Sequence, residues 1–261
     1  KHSPIYHVFR FIERYLYRNA ARISSTLPHL SNHISNSGSS PSKIVWIPNG
    51  VNMHLFSKQE SYNGGNDASL TVMYVGGFGL DHDVMTIIEA AKLLQDVSNH
   101  SFHFVIIGSG VRKVECQKLA NSYRLSNLEF REPILKNEIS KVQATADILI
   151  ASITNSKSYR FGLNLNKLCS YLASARPIIF SGNPPNDPVR ESSAGLSIVA
   201  QSPTAMMQAL NQLAALGASA RIAMGENGRR YAEAKLGMDV LGLRMESMLT
   251  TVINEYKTTR R

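Results

Sequence analysis

The phrase Ser158-Tyr159-Arg160-Phe161-Gly162-Leu163-Asn164-Leu165-Asn166-Lys167-Leu168-Cys169-Ser170-Tyr171-Leu172-Ala173 carries residue types suited to gripping an anion. Asn164 or Asn166 can cap a helix whose first turn holds Lys167, and Arg160 lies on the approaching loop. Two cations would then flank one helix N-terminus, where free backbone N–H groups and the helix dipole already favour negative charge. Arg160 would offer forked hydrogen bonds and Lys167 a point charge, a combination that fits a diphosphate. The alternative is that both are solvated surface cations. Three glycine-bearing turns point to the same ligand class: Gly76-Gly77-Phe78-Gly79, Gly108-Ser109-Gly110, and Gly162 ahead of a helix. Glycine at such a turn either lets the backbone approach a phosphate or serves chain conformation alone.

A second ligand class must be weighed at one of these turns. Gly108-x-Gly110 with Glu129 and Glu132 about 20 residues further on fits a dinucleotide fingerprint in part. Lys113 stands at its third glycine position, where a bulky side chain opposes close helix-to-strand packing. Cys116 and Cys169 have no second Cys or His at ligand spacing, so a structural zinc is not expected, and a reducing compartment fits two unpaired thiols.

The elements that must position these residues are legible from Ser69 onward. Short β-branched or aromatic runs (Leu70–Val75, Phe102–Ile107, Leu128–Phe130, Ile148–Ala151, Pro177–Ser181, Leu196–Val199) alternate with helix-length amphipathic segments. From His82 to Leu94, for example, Val84, Ile87, Ile88, Ala91 and Leu94 share one helical face. Strand, helix, strand in repetition predicts a doubly wound parallel sheet covered on both faces, an α/β fold of the Rossmann-like kind. The tail from Pro203 to Tyr256 reads as helical, broken near Gly217 and Gly237. Ahead of the sheet, Tyr6 to Ile23 reads as an amphipathic helix with Arg10, Arg14, Arg18 and Arg22 at every fourth position, suited to a neighbouring domain or an anionic membrane surface. Ser31 to Ser42, rich in Ser and Asn, reads as a connector.

Composition narrows the partners. Lys and Arg exceed Asp and Glu, 28 to 19, and the net charge of +9 calls for an anionic partner: nucleic acid, acidic membrane or a phosphorylated small molecule. Aromatic residues do not interleave with the cations in one patch, so nucleic acid is not expected. No apolar run reaches the roughly 18 residues that span a bilayer, and no secretory signal is read at the N-terminus. The chain opens on Lys1 in a helical segment, which raises the expectation of sequence upstream.

Taken in order, several phrases resemble the C-terminal half of a family 4 glycosyltransferase of GT-B type. They are Ile47-Pro48-Asn49-Gly50-Val51-Asn52 with Phe56, Tyr74 to Gly79, Ile107 to Gly110, Ala146-Asp147-Ile148, and Gly162 through Arg176-Pro177-Ile178-Ile179. The resemblance covers about Lys43 to Tyr231, and Tyr-Arg-Phe-Gly-x-x-x-Asn-Lys-Leu-x-x-Tyr-Leu is similar to the branch that transfers deoxy-amino sugars such as N-acetylfucosamine in surface-polysaccharide assembly. It implies that residues 1–42 are terminal helices of an acceptor domain plus connector, 43–237 a nucleotide-sugar-binding domain, and 238–261 a helix crossing back, with a basic end. It implies a retaining transferase using a nucleotide-diphosphate sugar, UDP-linked in expectation, and a lipid-linked or saccharide acceptor, with neither metal nor cofactor. A cytoplasmic place follows, with peripheral association at the inner membrane face as a further expectation. A binding module that needs a partner chain for activity is the alternative.

By the same resemblance, Arg160, Lys167, Gly77 and Gly162 would meet the donor diphosphate. Gly108, Gly110 and Ser170 would meet the nucleotide and its ribose, and Asn164, Asn166 and Glu191 the sugar side; no catalytic residue is singled out. Two departures stand out. Ser170 occupies the place of a ribose-binding Glu, and Asp81-His82-Asp83 stand where many relatives have a Lys after the first glycine turn. No phosphate role is assigned to His82; Asp81 or Asp83 is expected to cap the helix that follows.

Overall fold

The computed structural model describes residues 3–56, 62–66, 69–97 and 101–259, without the side chains of 96, 97 and 259. The basic end Arg260-Arg261 lies outside them. The chain opens with helix α1 (Pro4–Asn19), whose proline sits where a helix needs no N–H. It ends earlier than Ile23, because Ile23–Ser25 forms strand β1, which pairs in parallel with β2 (Ile44–Trp46). The expected boundary at 43 therefore falls inside a two-stranded sheet. The predicted connector also contains a short helix, α2 (Ser31–Asn36), anchored by the buried Ile34 in spite of its Ser- and Asn-rich composition.

The main unit follows as β3 (Ser69–Val75), α3 (Val84–Val97), β4 (Ser101–Ile107), α4 (Lys113–Ser122), β5 (Leu128–Arg131), α5 (Ile139–Gln143), β6 (Ile148–Ser152), α6 (Asn166–Ala173), β7 (Ile178–Ser181), α7 (Pro188–Ser192) and β8 (Gly195–Ile198). Helices α8 (Pro203–Ala215), α9 (Gly217–Tyr231) and α10 (Met238–Thr259) close the chain, with a π-helical turn at Ala232–Leu236 between the last two. The six strands from β3 to β8 pair in parallel in the order β5-β4-β3-β6-β7-β8. The order reverses between β3 and β6, and in a doubly wound sheet the crevice beyond that switch point receives the ligand.

Strand side chains alternate between two cores. Leu70, Val72 and Tyr74 join Ile87, Ile88 and Leu210 on one face, while Met73 and Val75 join Leu168, Leu172 and Leu236 on the other. Burial on both faces explains the near-continuous apolar runs of β6 and β7. The helix after β3 starts at Val84 rather than His82 because Asp83 caps it, its carboxylate accepting from the Thr86 backbone N–H at 3.4 Å and from the Thr86 hydroxyl at 2.6 Å. No helix among the described residues is long and apolar enough to cross a membrane.

Candidate functional site

At the switch point β3 pairs with β6 only through Val72 and Met73, so the two strands part toward their C-terminal ends. Tyr171 on α6 fills the gap. Its hydroxyl accepts from the Val75 N–H at 2.7 Å and donates to the Val75 carbonyl at 3.1 Å, pinning α6 to the end of β3. That pin brings the first turn of α6 over the turn Gly76-Gly77, and Lys167 lies in it. The fit is close: a Cβ on Gly76 would stand 2.8 Å from the Lys167 Nζ. The neighbouring turn is equally tight, since a Cβ on Gly108, which has φ +145°, would stand 1.9 Å from the Gly76 carbonyl oxygen.

The Lys167 ammonium donates to the Tyr74 hydroxyl at 2.6 Å and stands 3.1 Å from His82 Nδ1. It also lies over the Tyr74 ring, 4.2 Å from its centroid. The Tyr74 hydroxyl donates in turn to the Gly77 carbonyl at 2.6 Å, and His82 Nδ1 is 2.9 Å from the same oxygen. With its proton on Nε2 the imidazole accepts from Lys167; with the proton on Nδ1 it donates to Gly77. Burial lowers the Lys167 pKa to about 7, and burial followed by the nearby ammonium lowers that of His82 to about 4. Among the described residues no carboxylate pairs with Lys167. A half-buried ammonium without a counter-ion is electrostatically incomplete, and an anion supplies what it lacks.

This cation borders a pocket of about 560 Å³, within the ordinary range for a small-molecule site. Gly76, Gly77, Gly108 and Ser109 line it together with Pro133, Ile134, Lys136 and Ile139. Asn166, Ser170 and Gln143 lie along its side, with Gly50 to Asn52 and Met238 closing it from the N-terminal segment and α10. Ser170 donates its hydroxyl proton to the Lys167 carbonyl at 2.9 Å and accepts from Gln143 Nε2 at 2.9 Å.

Of the residues singled out by sequence, the pocket brings together Lys167, Gly77, Gly108, Ser170 and Asn166. The others stand outside its lining. Arg160, expected beside Lys167, is exposed and stacks on Phe161, 4.5 Å from the ring centroid. Gly162, with φ +118°, is fixed by close packing on Pro28, where a Cβ would come within 2.5 Å. Gly110 packs on the Phe78 backbone. Neither asparagine caps α6. Leu165 is the N-cap residue and no side-chain cap bond forms, because Asn164 instead accepts from the Asn49 backbone N–H at 2.9 Å. Glu191 accepts from the Tyr231 hydroxyl at 2.9 Å, a contact between α7 and α9. For the dinucleotide alternative, Glu132 accepts from Lys113 and Glu129 from Arg131, and neither lines the pocket. Burial raises both cysteine thiols to about 11, so neither is a poised nucleophile.

Sequence reasoning missed Tyr74, Gln143 and the closeness of His82 to Lys167. Tyr74 reads as one more core residue of β3, and nothing in linear spacing places residues 74, 82 and 167 together.

The sequence family described as Glycosyl transferases group 1 matches residues 69–215. A search of curated proteins gives no match. Among solved structures the chain is similar to a glycosyltransferase from Rickettsia africae ESF-5, with 12% identity and a TM-score of 0.77 over 94% of this chain and 67% of that one. It is similar to sucrose-phosphate synthase from Thermosynechococcus elongatus, with 17% identity and a TM-score of 0.76 over 95% of this chain and 62% of that one. Alr3699/HepE of Anabaena, in complex with UDP and glucose, has 11% identity and a TM-score of 0.74 over 95% of this chain and 69% of its own. The chain thus spans roughly two thirds of the length of these proteins and shares their fold.

Proposed function

This chain belongs to the group 1 glycosyl transferases, and from that premise we propose that its switch-point pocket binds the nucleoside diphosphate of a sugar donor. The observation that carries the reading is Lys167: a half-buried ammonium with no carboxylate partner among the described residues, one face on the Gly76-Gly77 turn and the other on the pocket. The diphosphate lies against this ammonium and the first turn of α6, and the base lies against Pro133, Ile134 and Ile139. When the sugar bond breaks, negative charge grows on the departing diphosphate, and a fixed cation with backbone dipoles stabilises it there. In this reading those groups meet the charge without a metal ion or cofactor. Arg160 is left out, because its guanidinium is engaged with the Phe161 ring.

The whole protein then transfers the sugar with retention to a lipid-linked or saccharide acceptor. The complex of the Anabaena relative with UDP favours uridine. The resemblance of the 159–172 phrase favours a deoxy-amino sugar and surface-polysaccharide assembly, carried out in the cytoplasm at the inner membrane face.

Thermal unfolding in the presence of UDP, GDP, ADP and NAD at equal concentration tests the donor reading. UDP at 100 times its dissociation constant should add about 2.7 kcal/mol of stability, with NAD adding none. Stabilisation by NAD alone, or by none of the four, would refute it.

A further inference from the structure

We propose that His82 is a positioning residue for the donor diphosphate: its Nδ1 holds the Lys167 ammonium beside the Gly76-Gly77 turn, so that one ammonium proton is left for the pocket. This rests on the donor reading above. An ammonium has three donors and no acceptor, so while Lys167 is charged every hydrogen bond at Nζ runs outward. The Tyr74 hydroxyl at 2.6 Å must therefore accept, and its own proton goes to the Gly77 carbonyl, also at 2.6 Å. His82 Nδ1 at 3.1 Å must accept as well, which places the imidazole proton on Nε2, a nitrogen without a partner among the described residues. No rotation of a hydroxyl changes these directions. Two of the three ammonium protons are then held, no third acceptor for Nζ is found among the described residues, and Lys167 lines the pocket.

The imidazole is itself held in place. The His82 backbone N–H donates to the Gly79 carbonyl at 3.2 Å, and the next N–H, of Asp83, donates to the Ser152 carbonyl at 3.3 Å. The turn between β3 and α3 thus curls back against the end of β6, with the His82 ring over Gly77. A lysine side chain is long and freely turning, so fixing its head before a ligand arrives lowers the ordering cost of binding. The titratable groups that face this cluster are Tyr171 on α6, Cys116 on α4, Tyr159 in the 157–161 turn and Asp81 beside His82. Burial, and after it the ammonium, hold His82 at about 4 against the opposing charge of Asp81, so the ring stays uncharged and able to accept at neutral pH. Once Lys167 loses a proton the demand on Nδ1 ends, and a proton placed there donates to the Gly77 carbonyl at 2.9 Å. The tautomer of His82 therefore reports the charge of Lys167.

Calorimetry with UDP and uridine on the full chain tests this at pH 6, between the values of about 4 for His82 and about 7 for Lys167. His82→Ala, its folding checked by a thermal melt, should weaken UDP about tenfold, the worth of one hydrogen bond at the ammonium, and leave uridine within about twofold. Made in Lys167→Ala protein, the same change should weaken UDP no further, because its effect passes through the ammonium. Nitrogen-15 NMR of the parent gives a readout that needs no variant: with UDP bound at pH 6, the His82 proton should sit on Nε2. A proton on Nδ1 in that complex overturns the inference and leaves the donor reading standing. So does a folded His82→Ala that binds UDP like the parent, that loses UDP and uridine equally, or that shows the same loss in Lys167→Ala protein. If His82→Ala does not fold, the tautomer decides alone. A parent that binds no nucleoside diphosphate overturns both.

Discussion

A lysine ammonium held by a phenol and beside an imidazole, with no described carboxylate as counter-ion, makes two measurable demands at the residue scale. The first concerns the diphosphate. Lys167→Ala removes a charge-assisted contact of roughly 1.5–3 kcal/mol, so UDP should bind about ten- to a hundredfold more weakly while uridine changes little; equal losses for both ligands would show that the variant disturbs the pocket rather than an anion contact. The second concerns protons. In the free protein burial lowers Lys167 from 10.5 to about 7. Between those values the unfolded chain holds more protons than the fold, so the free protein gains stability from this group as pH rises through that window. A bound diphosphate favours the charged lysine and raises its pKa, so binding takes up a proton above about pH 7. UDP affinity should then fall with rising pH by up to about tenfold per unit, whereas the neutral His82, at about 4, does not titrate there. Isothermal titration at pH 7 and pH 9 would measure the slope; the same slope in Lys167→Ala would assign it elsewhere. Lys167 was legible in the sequence because a helix N-terminus and a cation are local signals, and Ser170 only through the resemblance of the 159–172 phrase to its family. Tyr74, His82 and Gln143 were not, since their roles come from contacts between elements far apart in the chain. Arg160, expected beside Lys167, lies on Phe161 outside the pocket lining, because the course of the 157–161 turn is set by contacts that residue type does not encode.

Elements turn these contacts into a fixed geometry, and α6 is the one on which most depends. Strand alternation in the sequence predicts the sheet closely, because both faces of a parallel sheet are buried and its strands read as continuous apolar runs. Strand order and the parting of β3 from β6 were beyond it: the order is set by how the helices pack and the parting by register, neither of which leaves a periodic signal. Where the strands part, the Val75 N–H and carbonyl lose a ladder partner and take the Tyr171 hydroxyl instead. Tyr171→Phe would leave both backbone groups buried without it, at about 1–3 kcal/mol for an unsatisfied group. The variant should be less stable by about 2–6 kcal/mol and should also bind UDP more weakly, because the first turn of α6 loses its anchor over Gly76. A variant with parental stability and affinity would mean that water replaces the hydroxyl and that α6 is held by its apolar face alone. Glycine substitutions separate the same two effects. A Cβ at Gly76 meets side-chain atoms, the end of Lys167 and the Tyr74 hydroxyl, so Gly76→Ala should shift the ammonium and weaken UDP with little loss of stability; at Gly108 it meets the Gly76 backbone, so Gly108→Ala should cost stability itself.

On the scale of the whole molecule, donor binding and sugar transfer separate. The pocket is built from the six-stranded unit, with Gly50 to Phe56 and Met238 closing one side. Transfer asks for more: an acceptor hydroxyl held near the reacting carbon, and water kept from taking its place. The segment before the main unit offers one helix, a two-stranded sheet and a short helix. Its longest element, α1, buries no residue and leaves Ile5, Phe9, Phe11, Tyr15 and Leu16 exposed. The chain spans roughly two thirds of the length of the solved glycosyltransferases it resembles. We therefore expect the 261-residue chain to bind UDP and to transfer no sugar. Labelled UDP-sugars incubated with the purified chain and with lipid-linked or free saccharide acceptors should give no glycosylated product under conditions where UDP binding is saturated. Product formed at enzyme concentration, and lost in Lys167→Ala, would show that the chain carries a complete acceptor site and that α1 or its neighbours supply it.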